Sequence, residues 1–418
     1  MSRFIGIRHR VKRTAQGEAR PTQIVILDGD AKPRKLDLET EDDELDFLLA
    51  RLPVAWRALG EDEEVPAGVL PRHVKETAKG RKVPTGFDGF KAGDVVGLVA
   101  GGSGGNLAFA LSRRAEEIGA EALCIPSGQL KDLRGEASEK DDDALILARA
   151  VRNEYTRFKP VSRRDRDLIT LVETWRDREE VMKARIGADQ RLRQRMIGKV
   201  FRSEEGRYPE GAIEDAYAEA RANDIVVQAL VKEENRLKKA VETAIEGMPV
   251  YKEFLSTVEG CGPLVAARII AAAGDIRRFS TIDGFKAYLG VHLRDGAFPR
   301  RKAGTRANWN ALGRQGFYLL ADQFVKRKDS EWGKKLRAYK VQFREKHPEQ
   351  VQDGKRTLYT DGHIHRMAIW RTVTRFAEAL YRAWRRIEGL AGDAKTPPKA
   401  RPIPTPPVTE TPAPGAVP

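Results

Sequence analysis

The chain has 418 residues, 41% of them apolar, with a formal net charge of +14 and a pI near 9.7. That length suggests roughly two or three domains, and the basic excess points to a polyanionic partner, most commonly nucleic acid, rather than to a merely soluble basic protein. No apolar run approaches the ~18 residues of a membrane helix and "MSRFIGIRHR" lacks a signal peptide's apolar stretch, so no membrane partner and a cytoplasmic, nucleoid-associated location are expected.

Residues 1–160 alternate strand and helix signals. "RFIGI" (3–7) and "TQIVIL" (22–27) are short β-rich runs, and "ETEDDELDFLLARL" (39–52) reads as a helix. The stretch 66–94 reads as loop-rich. "DVVGLVAG" (94–101) is a buried type of strand, "GNLAFALSRRAEEIG" (105–119) a helix and "EALCI" (121–125) another strand. This is an α/β pattern, a meander first and β-α-β later. Cys124 and Cys261 sit in apolar segments without zinc spacing and are expected to be reduced and buried.

From residue 161 the period changes. Leu168, Leu171, Trp175, Met182, Ile186, Leu192 and Met196 recur at sums of three and four, the pattern of a long amphipathic helix or coiled coil. "RSEEGRYPEG" (202–211) breaks it. A second long helix is expected with Tyr217, Val226, Leu230, Leu237, Val241 and Ile245 on one side, making residues 161–247 a helical hairpin that projects or dimerises. Residues 248–390 are mostly helical and strongly basic, and 391–418 form a proline-rich tail expected to be disordered.

Several short motifs bear on chemistry. In "SEKDDDALILARAV" (138–151), Glu139, Asp142 and Asp143 are the candidate catalytic carboxylates and Asp143 the candidate metal ligand. The plainer reading is acids at a helix N-terminus with Ser138 as cap. "GGSGG" (101–105) lacks the Walker lysine and reads as a turn. His363 and His365 lack an evident third ligand.

In "STVEGCGPLVAARIIAAAGDIRRF" the Gly260-Cys261-Gly262 turn precedes Pro263 at a helix start, and Gly274 ends that helix. Backbone N–H groups presented there suit a DNA phosphate, with Arg268, Arg277 and Arg278 adding charge. The loop at 292–306 carries Arg294, Arg300, Arg301, Lys302 and Arg306. Residues 326–347 interleave Trp332, Tyr339 and Phe343 with cations, a mixture that suits phosphate contact and base stacking. On the last helix Val373, Phe376, Leu380, Trp384 and Ile387 read as core, and Arg371, Arg375, Arg382 and Arg385 as nucleic-acid contacts.

"GCGPLVAARIIAAAGDIRRFSTIDGFKAYLGV", with "RRKAGTRANWNALG" (300–313) and "DGHIHRMAIWRTVTRFAEALYRAW" (361–384), resembles the C-terminal domain of the insertion-sequence-110 family. These are the DEDD transposases and Piv-type DNA invertases, some guided by a bridge RNA. "FIGI", "SGGNLAFAL", "IPSGQLKDLR" and "DALILARAV" stand in the order of that family's N-terminal domain. The resemblance implies a RuvC/RNase H-like α/β domain, a long helical hairpin and a helical C-terminal transposase domain with a helix-hairpin-helix. It also implies four acidic residues holding Mg²⁺ and a nucleophilic serine.

Residue by residue, the family's first Asp falls on Arg8, its Glu on Gly101 or Gly102, and its last two Asp on Lys140 and Asp143, with Asp28 and Asp30 as conceivable substitutes from the second strand. The serine loop matches 292–306, where Ala297 and Phe298 stand near the expected place and Thr305 is the only hydroxyl. The expectation is a transposase-like or recombinase-like protein with degenerate catalytic residues, or else a non-enzymatic nucleic-acid-binding regulator or architectural factor. The expected partners are DNA, a structured guide RNA and further copies of the chain in a dimer or tetramer.

Overall fold

The computed structural model describes residues 2–11, 19–60, 62–99, 104–134, 140–206, 213–293, 298–299, 304, 307–354 and 356–390. Its N-terminal part is built on strand β1 (Arg3–Arg8), in which Ile5 and Ile7 alternate with Phe4 and Gly6. That period of two sends the residues to opposite faces of the sheet. β2 (Thr22–Asp28) and β3 (Arg34–Leu38) continue it as an antiparallel meander. Helix α1 (Glu41–Leu48) starts at a reciprocal cap: the Asp43 N–H donates to the Thr40 hydroxyl and the Thr40 N–H to the Asp43 carboxylate.

The expected loop at 66–94 is instead partly sheet. β4 (Leu52–Ala58), β5 (Lys75–Thr77) and β6 (Gly80–Asp88) pair antiparallel in the order β4-β6-β5. Most of β5 and of β6's first half is exposed, so the apolar alternation that marks a half-buried strand is absent there. Beyond it come β7 (Val95–Val99), α2 (Gly105–Ile118), β8 (Glu121–Ile125), α3 (Ser127–Arg134), α4 (Asp143–Asn153) and β9 (Lys159–Pro160). The main sheet runs β3-β2-β1-β7-β8-β9, with β7 parallel to β1 and β8 parallel to β7.

Helices cover both faces of this sheet. Ile5, Ile7, Ile24, Ile26, Val96 and Leu98 pack against Phe47 of α1 and Leu107 and Leu111 of α2. On the opposite face α4 lies directly on the backbone: a Cβ at Gly6 would sit 1.9 Å from the Ala144 carbonyl oxygen and 2.4 Å from the Ala148 nitrogen. "DALILARAV" is thus the helix that closes the sheet.

Asp46 of α1 is buried and ties this part to the β4-β6-β5 insertion. It accepts from Arg51 (2.7 Å) and Arg72 (2.6 Å) and lies 2.6 Å from His73 Nε2. Burial would raise its pKa, but hydrogen bonds from Arg72, His73 and Arg51 prevail and hold it at about 2. A folded pKa below the unfolded value of about 3.9 gives stability that is fully present above about pH 4 and is lost as pH falls through about 2. With Arg51 and Arg72 each more than a third exposed, about 1 to 2 kcal/mol is at stake. Urea melts across this window are expected to show that loss in the wild type and a smaller one in Asp46→Asn. Equal losses would refute it.

Helix α5 (Arg163–Phe201) has 39 residues, a length of roughly 58 Å. The expected second long helix is two helices, α6 (Ile213–Asn223) and α7 (Ile225–Glu246). Asp224 breaks them by capping α7, its carboxylate accepting from the Val227 N–H at 2.9 Å. The break shifts the helical phase: Val227 is buried and Val226 is 62% exposed. Ala188, Leu192 and Val227 form a small distal core, while Leu168, Leu171, Trp175, Val241 and Ile245 join the C-terminal core.

That core is helical: α8 (Pro249–Glu253), α9 (Pro263–Ala273), α10 (Ile282–Tyr288), α11 (Ala311–Lys326), α12 (Glu331–Lys346) and α13 (Asp361–Ile387), with a hairpin of β10 (Val351–Asp353) and β11 (Arg356–Leu358). Phe317, Phe324, Trp332, Phe376, Tyr381 and Trp384 fill it. On α13 the residues read as core are buried, with Ile387 half-buried. Trp332, read as a stacking candidate, is core as well, packed on Phe324 and Phe376. Cys124 and Cys261 are free and buried, and burial pushes both thiols up to about 12. No described helix is long and apolar enough to cross a membrane. The tail from 391 lies outside the described residues.

Candidate nucleic-acid interface

The structure brings the acidic motif to the end of β1, but pairs two of its carboxylates, Asp141 and Asp143, with arginines. Arg8 Nη1 and Arg20 Nη1 lie 3.4 and 2.8 Å from the same oxygen of Asp141. Arg134 grips both oxygens of Asp143 at 2.7 to 2.9 Å. Lys140–Asp142 form a 3-10 turn into α4, Asp142 is its exposed N-cap and Asp143 lies in its first turn. Glu139, Ser138 and residues 100–103 lie outside the described residues.

A carboxylate not singled out in the sequence, Glu44, also reaches this end of the sheet. It accepts from Arg10 (3.0 Å) and Thr22 (2.5 Å) and lies 3.4 Å from His9. Burial opposes its charge, but hydrogen bonds from His9, Thr22 and Arg10 hold it below the usual carboxylate range. Asp28 cannot substitute for the missing acids. In the antiparallel register it sits opposite Arg3, at the far end of β1 from Arg8, and Asp30 follows it in the turn after β2. The cavity here, about 210 Å³, is lined by Arg8, His9, Arg10 and Asp143 among others. A divalent cation needs several converging carboxylates free to ligate. These acids are already neutralised by Arg8, Arg10, Arg20 and Arg134, which would repel the ion. The described residues here do not fit Mg²⁺.

The glycine hairpin forms as a 3-10 turn (255–257), a turn through Gly260 at φ 91° and α9, with Gly262 as its N-cap. Gly260 faces α11, where a Cβ would lie 2.7 Å from Gln323 Cβ. Gly262 faces open space. The three arginines beside it diverge. Arg268 is buried, paired with Glu179 of α5 at 2.5 Å and stacked 5.1 Å from the Trp175 ring. Arg277 pairs with Asp165 and Asp275. Both join α9 and the turn after it to α5. Arg278 is exposed, over Tyr288 at 4.5 Å. Arg294, Arg300, Arg301, Lys302, Thr305 and Arg306 lie outside the described residues.

A larger concavity, about 1000 Å³, opens between α11, the C-terminal half of α12, the β10–β11 hairpin and α13. Arg314, Lys346, Arg366 and Arg371 line it with His363, and no Asp or Glu does. None of those four cations has a carboxylate partner among the described residues. Phe298 and Trp370 meet tilted, with ring centroids 4.5 Å apart, and Arg314 lies over Trp309 and Trp370 at 5.3 and 5.2 Å. The His363 ring accepts the Tyr359 N–H at Nδ1 (3.0 Å), which leaves Nε2 as a donor, and it stacks in the series His347–Tyr359–His363. His365 titrates lower than usual because it is half-buried, with Lys340 and Arg337 near. Among the described residues no group of three or more His, Cys, Asp or Glu could hold a metal ion.

The sequence reading named Arg371 and Phe343 but missed Arg314, Arg366 and Trp370. A signal existed: Arg366 and Met367 stand three and four residues after His363, Trp370 and Arg371 likewise after Arg366 and Met367, and Thr374 after Trp370 and Arg371, a single stripe along α13.

Residues 252–337 match the family model described as transposase IS116/IS110/IS902. The match runs from the end of α8 to the middle of α12. The matched segment therefore holds the glycine hairpin and supplies Leu293, Phe298 and Arg314 to the concavity, which α12, the β10–β11 hairpin and α13 complete from beyond it. No curated protein matches the chain.

Proposed function

We propose that the chain is a DNA-binding protein of transposase or site-specific recombinase type, in which the C-terminal helical region holds the nucleic acid and the N-terminal carboxylates no longer collect metal ions. The observation that carries this reading is the acid-free cationic concavity, to which the segment matching a transposase family contributes Arg314 and the helices beyond it contribute Lys346, Arg366 and Arg371. Four cations without counter-charges repel one another, and a polyanion relieves that repulsion.

Three further features support the domain reading. The order β3-β2-β1-β7-β8, a meander followed by two parallel strands reached through helices, suits a RuvC/RNase H-like domain. The glycine turn ahead of α9 suits a helix-hairpin-helix, with Gly262 and Arg278 as its surface contacts and Arg300, Arg301, Lys302 and Arg306 added by charge. Exposed Phe201, Ile225 and Val226 at the far end of the helical hairpin suit a homo-oligomer. A structured guide RNA, implied for part of the resembling family, would draw on the same cations.

A second reading, a non-enzymatic regulator or architectural factor, is favoured by the arginine-bound carboxylates and by the lack of serine in 292–306. The two readings share one expected result. In a strand-exchange assay with native flanking DNA, any product is indifferent to omission of Mg²⁺ and to Asp143→Ala. A product that requires Mg²⁺ and disappears in Asp143→Ala would show a working acidic site.

A further inference from the structure

The proposal that the C-terminal region holds DNA leaves open which form of DNA the concavity between α11, α12 and α13 takes. Its chemistry is layered. Cations stand at Arg366 and Lys346, both exposed, and at the half-buried Arg371, while ring and aliphatic surface comes from Phe343, Met367 and Trp370. Duplex DNA offers phosphates on a convex surface, with its bases stacked inside. It would meet the cations and leave the apolar floor empty. A nucleotide outside a stack offers a phosphate and a flat apolar ring together.

We infer that this concavity is a binding site for an unpaired nucleotide of a DNA strand, its base against Trp370 and Phe343 and its flanking phosphates on Arg366, Arg371 and Lys346. The volume, about 1000 Å³, is at the upper end of ligand clefts and leaves room for the sugar and a neighbouring phosphate. Arg314, held between Trp309 and Trp370 and donating to the Pro299 carbonyl oxygen at 2.5 Å, fixes the Trp370 ring from one side. The Nε2 donor of His363 adds a hydrogen bond for a base edge or a phosphate oxygen. DNA is assigned as the source because the cavity is shared with the segment that matches a transposase family.

The test uses the full chain and anisotropy titrations with single-stranded DNA of roughly 20 nucleotides, the same sequence as duplex, and the same sequence as RNA. A 2-aminopurine base in the single strand reports stacking. Trp370→Ala is expected to weaken single-strand binding by about 10-fold or more and to abolish the fluorescence change, with duplex affinity altered by less than about 2-fold. Because Trp370 also packs on the core, Arg366→Glu is the second variant. Its side chain is exposed, and its one hydrogen bond among the described residues goes to the Gly362 carbonyl oxygen; because duplex also meets this cation, both affinities are expected to fall, that for the single strand by several-fold more. The inference is overturned if both variants weaken duplex and single strand equally, if neither weakens either, or if RNA binds about 10-fold more tightly than DNA. Duplex binding that persists while single-strand binding is untouched by both variants sinks the nucleotide site and spares the DNA-binding reading. Absence of binding to any of the three probes sinks both.

Discussion

Glu179→Leu is expected to cost about 3 to 5 kcal/mol of stability. Glu179 and Arg268 are both buried, one on α5 and the other on α9, with Arg268 lying over Trp175. Removing the carboxylate leaves a guanidinium in the interior without a counter-charge, since Arg268 has no other carboxylate partner among the described residues. The double variant Glu179→Leu with Arg268→Met removes both charges and is expected to recover most of the loss. Urea denaturation of the three proteins measures this. The same experiment separates structure from ligand binding. Arg268→Met is expected to lower stability and leave DNA affinity of the folded protein unchanged, whereas a phosphate-binding arginine would show the reverse.

Gly6→Val is expected to prevent the N-terminal part from folding around its sheet. Gly6 is extended and any residue could adopt its backbone, so the effect is one of space. A Cβ there would fall within 2.4 Å of backbone atoms at Ala144 and Ala148, and helix backbone cannot rotate away as a side chain can. The α4 helix must lift off β1, uncovering Val25 and Leu27, which pack beneath it. Overpacking costs typically 1 to 3 kcal/mol, and backbone contact places this case at about 3 kcal/mol or more. Circular dichroism and limited proteolysis are expected to show loss of the N-terminal part. A variant with the wild-type melting profile would mean that α4 is not seated on β1.

Of the main sheet, β1, β2, β7 and β8 were legible as short apolar runs between polar residues, and the long α5 by its 3.6 period, whereas the mostly polar β3 and the two-residue β9 were not. Nor were β5 and the start of β6. Strands exposed on both faces carry no apolar alternation, and their pairing depends on partners distant in the chain. The break at Asp224 was hidden because Asp is as common within a solvent-facing helix as at its cap. The pairing of Arg268 was not legible because sequence distance conceals Glu179: the two residues are 89 apart and meet only through the packing of α9 on α5. The acidic motif does stand at a helix N-terminus, as its plainer reading expected, but its partners Arg20 and Arg134 and its neighbour Glu44 come from separate elements. The concavity was least legible, since it collects residues from Leu293 to Thr374, and only the stripe on α13 is visible as a local pattern.

The central claim is that this chain binds DNA through uncompensated cations. Its most direct test is the affinity of the full chain for duplex DNA as a function of salt. The account predicts a log–log slope of about −3 or steeper, reflecting roughly four or more neutralised phosphates. No measurable affinity, or an affinity that does not change with salt, would contradict it.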